Sequence, residues 1–410
     1  MILKQCKLFS LSNGLLFTRK KNLSHSFFRF FSEQGQYDGQ MFLSLVNQTF
    51  VDKAISMKTK IAMKDEHKQA PGTIGVHVLA YVSKSEEDEL TLDSLNQTDV
   101  PKMMAEDVDL PIFVDKTKYD SQKHVKVRIV SKNDWGRVDW DTMQLINKSN
   151  DPVHFDTVIL HVHGGSFNHG STGDLYPISK KYSIETGHPI FSVDYRLAPE
   201  FQFPKGLSDC FQVYMWLVKY SKKYLQLTFD RIIIDGDSAG ANFVLSLTGL
   251  SINKNIRIPD KLVLHYAWDN ICIRSFCPSL ALSLEDPLLN YHFLPYIWHY
   301  YADFEHQSNQ YASPKFLDEE ILKKFPPCTF FLAENDPIRD ELLRLCLRLS
   351  KVGKQDDIGK KINSISSFST LFIEVKIFKH WYHGFMFHAS FQARIKMAYV
   401  ALKMSIEALK

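Results

Sequence analysis

The chain has 410 residues, 45% hydrophobic and 23% charged, with 49 Lys and Arg against 46 Asp and Glu for a formal net charge of +3. That balance excludes collagen, coiled coil and wholesale disorder, and it lacks the basic excess of a nucleic-acid binder, so no nucleic-acid partner is expected. No apolar stretch reaches the roughly 18 residues that a membrane-spanning helix needs, and six cysteines without a C-x-x-C pair fit a reduced intracellular protein better than a disulfide scaffold or zinc module.

Residues 1–32 hold Lys4, Lys7, Arg19, Lys20, Lys21 and Arg29 but no acid before Glu33. Basic, Ser-containing and acid-poor, they read as a mitochondrial transit peptide or a disordered basic tail, and 1–35 are set aside from fold reasoning. Residues 36–120 read as an N-terminal helical or cap segment, with an amphipathic helix expected over Gln40–Lys60 and an acidic, solvated loop over Ser83–Asp109.

From residue 124 the pattern sharpens. Val125–Val130 alternates and predicts a half-buried strand. Apolar runs at Thr157–Val162, Pro189–Asp194, Arg231–Asp235, Lys261–Tyr266, Thr329–Leu332 and Glu374–Phe378 predict strands, most of them covered on both faces. Helical patterns lie between or beyond them, at Pro204–Tyr220, Ala241–Ile252, Asp340–Val352 and Ala389–Leu409. Such alternation predicts an α/β domain over 121–410, a mainly parallel sheet with helices on both faces. Its chemistry belongs at the C-terminal ends of the strands.

Three motifs stand at those ends. Gly236-Asp237-Ser238-Ala239-Gly240 follows one strand and opens a helix, as a nucleophile elbow does: a sharp turn lifts the Ser238 hydroxyl clear of the sheet, and small neighbours let strand and helix approach. His163-Gly164-Gly165-Ser166-Phe167 follows the Thr157–Val162 strand. Paired glycines there bring backbone N–H groups near a substrate carbonyl, and with Ala239 N–H they would form an oxyanion hole. His163 is expected to hold this loop rather than act as a base. His161 and His169 lack a carboxylate or Cys at ligand spacing, so no metal is expected. The third motif pairs Asp336, after the Thr329–Leu332 strand, with His383, after the Glu374–Phe378 strand, giving the chain order Ser, Asp, His. His383 would take the Ser238 proton and return it to the leaving alkoxide, while Asp336 fixes the imidazole tautomer. Glu334 and Asp340 are rivals for the acid, with Asp340 expected as a helix N-cap, and His380 is the rival for the base.

HGGSF, DYRLAPE (Asp194–Glu200), GDSAGAN, DPIRDE and HGF, in this order, resemble the hormone-sensitive-lipase family of α/β-hydrolases over roughly residues 110–390. Ser279–Leu289 (SLALSLEDPLL) and Phe113–Ser131 resemble the catalytic part of the animal-type enzymes in particular. The resemblance implies an α/β-hydrolase fold with a helical cap. It implies Ser238, Asp336 and His383 as triad, and Gly164, Gly165 and Ala239 as oxyanion donors with Ser166 N–H as a further one. It also implies hydrolysis of carboxylic esters of lipids, acylglycerols or sterol esters, with neither metal nor organic cofactor. A cytoplasmic location with contact to a lipid-droplet or membrane surface follows from it, against the mitochondrial reading of residues 1–32; the oligomeric state stays open.

The sequence departs from the family pattern at HGGS in place of HGGG, at the short stretch ahead of the resembling region, and at Asp356–Glu374, which reads as a loop insertion between acid and histidine. Arg196 and Glu200 of DYRLAPE are expected to form buried or half-buried pairs under the site. The cap, expected over about 268–325, is rich in aromatics from Trp268 to Tyr301 that either pack it or line an acyl pocket. Two other functions stay open: a short-chain carboxylesterase or deacetylase, and a catalytically silent hydrolase fold that binds a small molecule or serves in a complex.

Overall fold

The apolar runs lie side by side in one mixed sheet. A computed structural model describes residues 74–95, 110, 112–149, 151–272, 277–282, 286, 289, 294–352, 360–362, 365–369, 373–386 and 396–410, all within the unit Ala70–Lys410. The strands are β1 (Val76–Ser83), β2 (Ile112–Phe113), β3 (His124–Ser131), β4 (Gly136–Asp139), β5 (Gln144–Asn147), β6 (Val153–Val162) and β7 (Ile190–Asp194). They continue with β8 (Leu227–Asp237), β9 (Lys261–His265), β10 (Cys328–Ala333), β11 (Lys360–Ile362), β12 (Ile365–Ser369) and β13 (Ile373–Phe378). Their order across the sheet is β11-β12-β13-β10-β9-β8-β6-β7-β3-β1-β2-β5-β4. The centre, from β13 to β7, is parallel throughout, and both flanks are antiparallel.

The parallel centre follows from the sequence. Parallel strands need crossovers, and these carry helices onto the faces. Lys205–Leu225 (α2), Ala239–Asn253 (α3) and Arg339–Val352 (α6) share the core of the face that carries Ile232 and Ile234 of β8. Tyr176–Thr186 (α1) and Lys396–Leu409 (α7) cover the other face against Ile233. With both faces covered, β10 is buried at every position.

Two expectations about organisation change. The boundary at 120/121 cuts through the sheet, because β1 pairs with β3 from Val76↔Ser131 to Ser83↔His124. The β1 run Val78–Val82 is apolar at every position, as in the central strands, so the N-terminal segment supplies a strand in place of the expected helix. The Asp356–Glu374 insertion, expected as a loop, contributes β11 and β12, which extend the sheet antiparallel beyond β13. The expected tail (1–35), the Gln40–Lys60 helix and most of the Ser83–Asp109 loop lie outside the described residues.

The face under α1 and α7 also holds a buried ion cluster. Asp235 of β8 accepts from His161 Nδ1 of β6 at 2.7 Å and from His265 Nε2 of β9 at 3.0 Å, all three side chains being 3% exposed or less. Burial pushes the Asp235 carboxyl up, but the two imidazoles outweigh it and leave its pKa at about 2. Burial pulls His161 down, and the Asp235 hydrogen bond and charge reverse this, so its pKa ends raised. Asp235 therefore contributes stability above its unfolded value near 4 that is lost as pH falls towards 2. His161 contributes below its unfolded value near 6.5, and loses that as pH rises through its folded value. Asp235→Asn is expected to cost about 1–3 kcal/mol, because an amide offers one acceptor oxygen where two buried imidazole nitrogens converge and leaves one of them without a partner. Denaturant midpoints of the two proteins measure the loss, and an unchanged midpoint would contradict a stabilising role for the cluster.

Candidate active site

Ser238 stands between the end of β8 and the start of α3, with φ 52° and ψ −118°. A non-glycine residue held there is strained by roughly 1–3 kcal/mol, a strain kept by its surroundings. The flanking glycines are required by contact. A Cβ on Gly240 would fall 2.1 Å from the Val162 carbonyl and 2.5 Å from that of His163, and one on Gly236 would fall 2.8 Å from Val244 Cγ2. The elbow is anchored to the neighbouring strand and its loop: Ser238 N–H donates to the His265 carbonyl at 2.9 Å, and Trp268 N–H to the Ser238 carbonyl at 3.2 Å.

The three side chains named from the sequence meet at this turn. Ser238 Oγ lies 2.7 Å from His383 Nε2, and His383 Nδ1 lies 2.9 Å from Asp336 Oδ2, although 145 and 47 residues separate the partners. Asp336 Oδ1 accepts from Ile338 N–H at 3.0 Å, which orients the other oxygen to the imidazole. Ser238, Asp336 and His383 are 6%, 2% and 4% exposed. Burial lowers the His383 pKa, but the charge and hydrogen bond of Asp336 outweigh it and hold it above the ordinary value, with smaller help from Asp286 and Asp237. The edge of Tyr266 packs on the imidazole, ring centroids 4.8 Å apart; the sequence marked Tyr266 only as the end of a strand.

The rivals are occupied elsewhere. Glu334 Oε2 accepts from the His380 backbone N–H at 2.7 Å, and the His380 ring is exposed. Asp340 pairs with Arg339 inside the first turn of α6, so it is not the expected N-cap. A neutral-base, carboxylate-oriented serine of this geometry is equipped to attack a carbonyl and form a covalent intermediate.

The glycine loop requires one correction. Gly164 N–H already donates to Asp237 Oδ1 at 2.8 Å, so it is committed to holding the loop against the elbow and is not an oxyanion donor in this arrangement. The N–H groups of Gly165, Ser166 and Ala239 remain as candidates. Gly165 has φ 130°, and a Cβ there would strike the His169 carbonyl at 1.9 Å. Ser166 and Phe167 follow with φ 53° and 66°, left-handed values that glycine adopts at less cost. The neutral His163 ring serves the loop as expected. Its Nδ1 lies 2.7 Å from the Gly164 carbonyl, its face stacks on Tyr195 at 4.3 Å, and burial lowers its pKa.

Beneath the site, Arg196 binds Asp209 through Nε and Nη2, with Lys84 on the same carboxylate at 2.6 Å. The expected Arg196 pair is thus with Asp209, while Glu200 is exposed. Above it, Tyr301 stacks on Phe167 with centroids 3.7 Å apart, and Phe243 and Trp268 close the same aromatic cluster. Among the described residues, the grouping with metal-ligating side chains is His154, Asp156 and Asp230, exposed near the opposite ends of the strands from Ser238.

Residues 159–361 match the family described as the alpha/beta hydrolase fold. Hormone-sensitive lipase of Mus musculus is 32% identical over 179 residues, 44% of this chain and 23% of that protein. The Homo sapiens protein is 38% identical over 133 residues, 32% of this chain and 12% of that one. The chain therefore spans under a quarter of the length of these relatives. An arylesterase of Saccharolobus solfataricus is 29% identical over 200 residues, 48% of this chain and 63% of that enzyme. Among solved structures, carboxyl esterase 2 of the fungus Tuber melanosporum superposes with a TM-score of 0.57 at 21% identity, covering 70% of this chain and 84% of that one. Strand order, elbow and family match agree: the chain has the α/β-hydrolase fold, and part of it is similar in sequence to hormone-sensitive lipases.

Proposed function

We propose that this chain hydrolyses carboxylic esters by way of an acyl-enzyme on Ser238. The observation that carries the proposal is the unbroken path from Ser238 Oγ through His383 to Asp336 at 2.7 and 2.9 Å. His383 takes the hydroxyl proton as Oγ attacks the ester carbonyl, and returns it to the alkoxide as the first bond breaks. Water repeats the sequence to release the acid. Backbone N–H groups of Gly165, Ser166 and Ala239 would face the developing oxyanion, each worth about 2.7–4 kcal/mol if lost.

Esters of lipids, acylglycerols or sterol esters, are the substrate class we favour, supported by the sequence likeness to hormone-sensitive lipases. Short-chain esters are the second reading, supported by the likeness to an arylesterase and by the packed aromatic cluster of Phe167, Tyr301 and Trp268. A fluorophosphonate probe, a p-nitrophenyl ester series of increasing acyl length and a panel of acylglycerols test both. Labelling at Ser238 with turnover of long acyl chains is the expected result. Turnover that collapses above about six carbons selects the second reading, and absence of labelling overturns both. For location we propose the cytoplasm with a lipid surface; a mature protein starting near residue 32 would instead favour mitochondria.

A further inference from the structure

We propose that Ser279, on the cap helix Pro278–Leu282 (α4), is a positioning residue that holds the Asp336 loop in place from the cap side. The proposal rests on the ester-hydrolase reading above. Ser279 opens the motif SLALSLEDPLL and has no part in the triad itself.

The Ser279 hydroxyl is buried, and its bonds go to the acid loop. Oγ donates to the Pro337 carbonyl at 2.8 Å and accepts from Asp340 N–H at 3.1 Å. Cys277 Sγ lies 2.9 Å from the same hydroxyl and 3.4 Å from the same carbonyl. Pro337 directly follows the catalytic carboxylate. Asp340 is in the first turn of α6, where backbone N–H groups have no partner inside the helix. Such a group is ordinarily capped by the side chain just before the helix. Here that residue is Ile338, which carries no acceptor, so the cap supplies one across a sequence separation of 61 residues. Ser279 therefore does for α6 what an N-cap residue would do, and it clamps both ends of the short stretch that follows Asp336.

The loop's other side is fastened to the histidine loop. Glu334 N–H donates to the Phe378 carbonyl at 3.0 Å and Asn335 N–H to that of Trp381 at 2.9 Å. Asp336 thus sits between an anchor shared with His383 and an anchor in the cap. Without the Ser279 hydroxyl, the half-buried Asp340 N–H loses its partner and the Pro337 carbonyl keeps only the weak Cys277 thiol, so the turn relaxes to find other partners. The Asp336–His383 bond lengthens as a result. A displacement of α4 reaches the acid before the nucleophile, because the Ser279 hydroxyl bonds to the acid loop while the backbone of Ser238 is held by His265 and Trp268.

Ser279→Ala is expected to lower kcat about 10- to 100-fold with KM within about twofold, since the loss concerns geometry at the reacting centre and not ester binding. Weaker support from Asp336 also moves the acid limb of the kcat/KM profile to lower pH. Ser279→Thr keeps the hydroxyl and is expected to restore both. Should Ser279→Ala fail to fold, Ser279→Cys, similar in size and weak in hydrogen bonding, carries the same test with a smaller loss. A folded Ser279→Ala or Ser279→Cys protein with lower melting temperature but unmoved kcat and pH midpoint overturns the proposal, leaving a packing role. A wild-type protein that neither hydrolyses esters nor takes the fluorophosphonate label defeats the ester-hydrolase reading itself. A labelled wild type with an unmoved midpoint in the variant defeats only the assignment to Ser279.

Discussion

Ser238→Ala is expected to abolish ester hydrolysis, with a fall in kcat on the order of 10⁶-fold, as when the nucleophile of a serine triad is removed. The backbone N–H groups of Gly165, Ser166 and Ala239 survive the change, so a residual rate roughly 10³–10⁴ above the uncatalysed reaction is expected to remain. The substitution deletes a single oxygen bonded to His383 at 2.7 Å and leaves the backbone bonds of residue 238 to His265 and Trp268 in place. Melting temperature is therefore expected to stay near that of the wild type. Initial rates on a p-nitrophenyl ester, together with loss of the fluorophosphonate label, measure the effect. A stable variant that keeps more than a few per cent of activity would mean that the acyl group is carried elsewhere.

Asp336→Asn is expected to cost about 10⁴-fold in kcat. The amide is nearly isosteric, so the loop keeps its shape, but the side chain now offers N–H donors to the imidazole. A donor facing Nδ1 puts the remaining proton on Nε2, the nitrogen that must accept from Ser238 at 2.7 Å. The same change removes the charge that raises the His383 pKa. The base works when neutral, so kcat/KM rises with pH through the His383 titration. In the wild type this limb lies above the ordinary histidine value near 6.5, and in Asp336→Asn it moves below its wild-type position. A profile measured from pH 5 to 9 on both proteins checks the shift. An unmoved midpoint would mean that Asp336 does not govern the imidazole, and Glu334 would return as the candidate acid.

Much of this was legible because it is written in short stretches of chain. The apolar runs of β6, β8 and β10 and the helices between them declare a parallel sheet by length and spacing alone. Gly236 and Gly240 declare the elbow because no other residue tolerates contacts at 2.1 and 2.8 Å. The order Ser238, Asp336, His383 needs only that each residue follow a strand. β1 carries an apolar run, Val78–Val82, like those of the other strands, but it stands in a stretch whose neighbours read as helix and loop, and its pairing with β3 is set by tertiary contact; the two strands of the insertion are hidden because polar serines fill β12.

The sequence by itself therefore determined the fold class, the strand ends that carry the chemistry and the residue types of the triad, since local periodicity and backbone sterics act over a few residues. Only the tertiary structure decided which carboxylate reaches the imidazole, that Gly164 spends its N–H on Asp237, that His161 and His265 converge on Asp235, and that the Ser279 hydroxyl bonds to the Pro337 carbonyl. Each of these is a hydrogen bond between side chains or backbone groups 30 to 74 residues apart. Such a bond depends on strand register and loop geometry to within a few tenths of an ångström, and no local pattern of residues carries that distance.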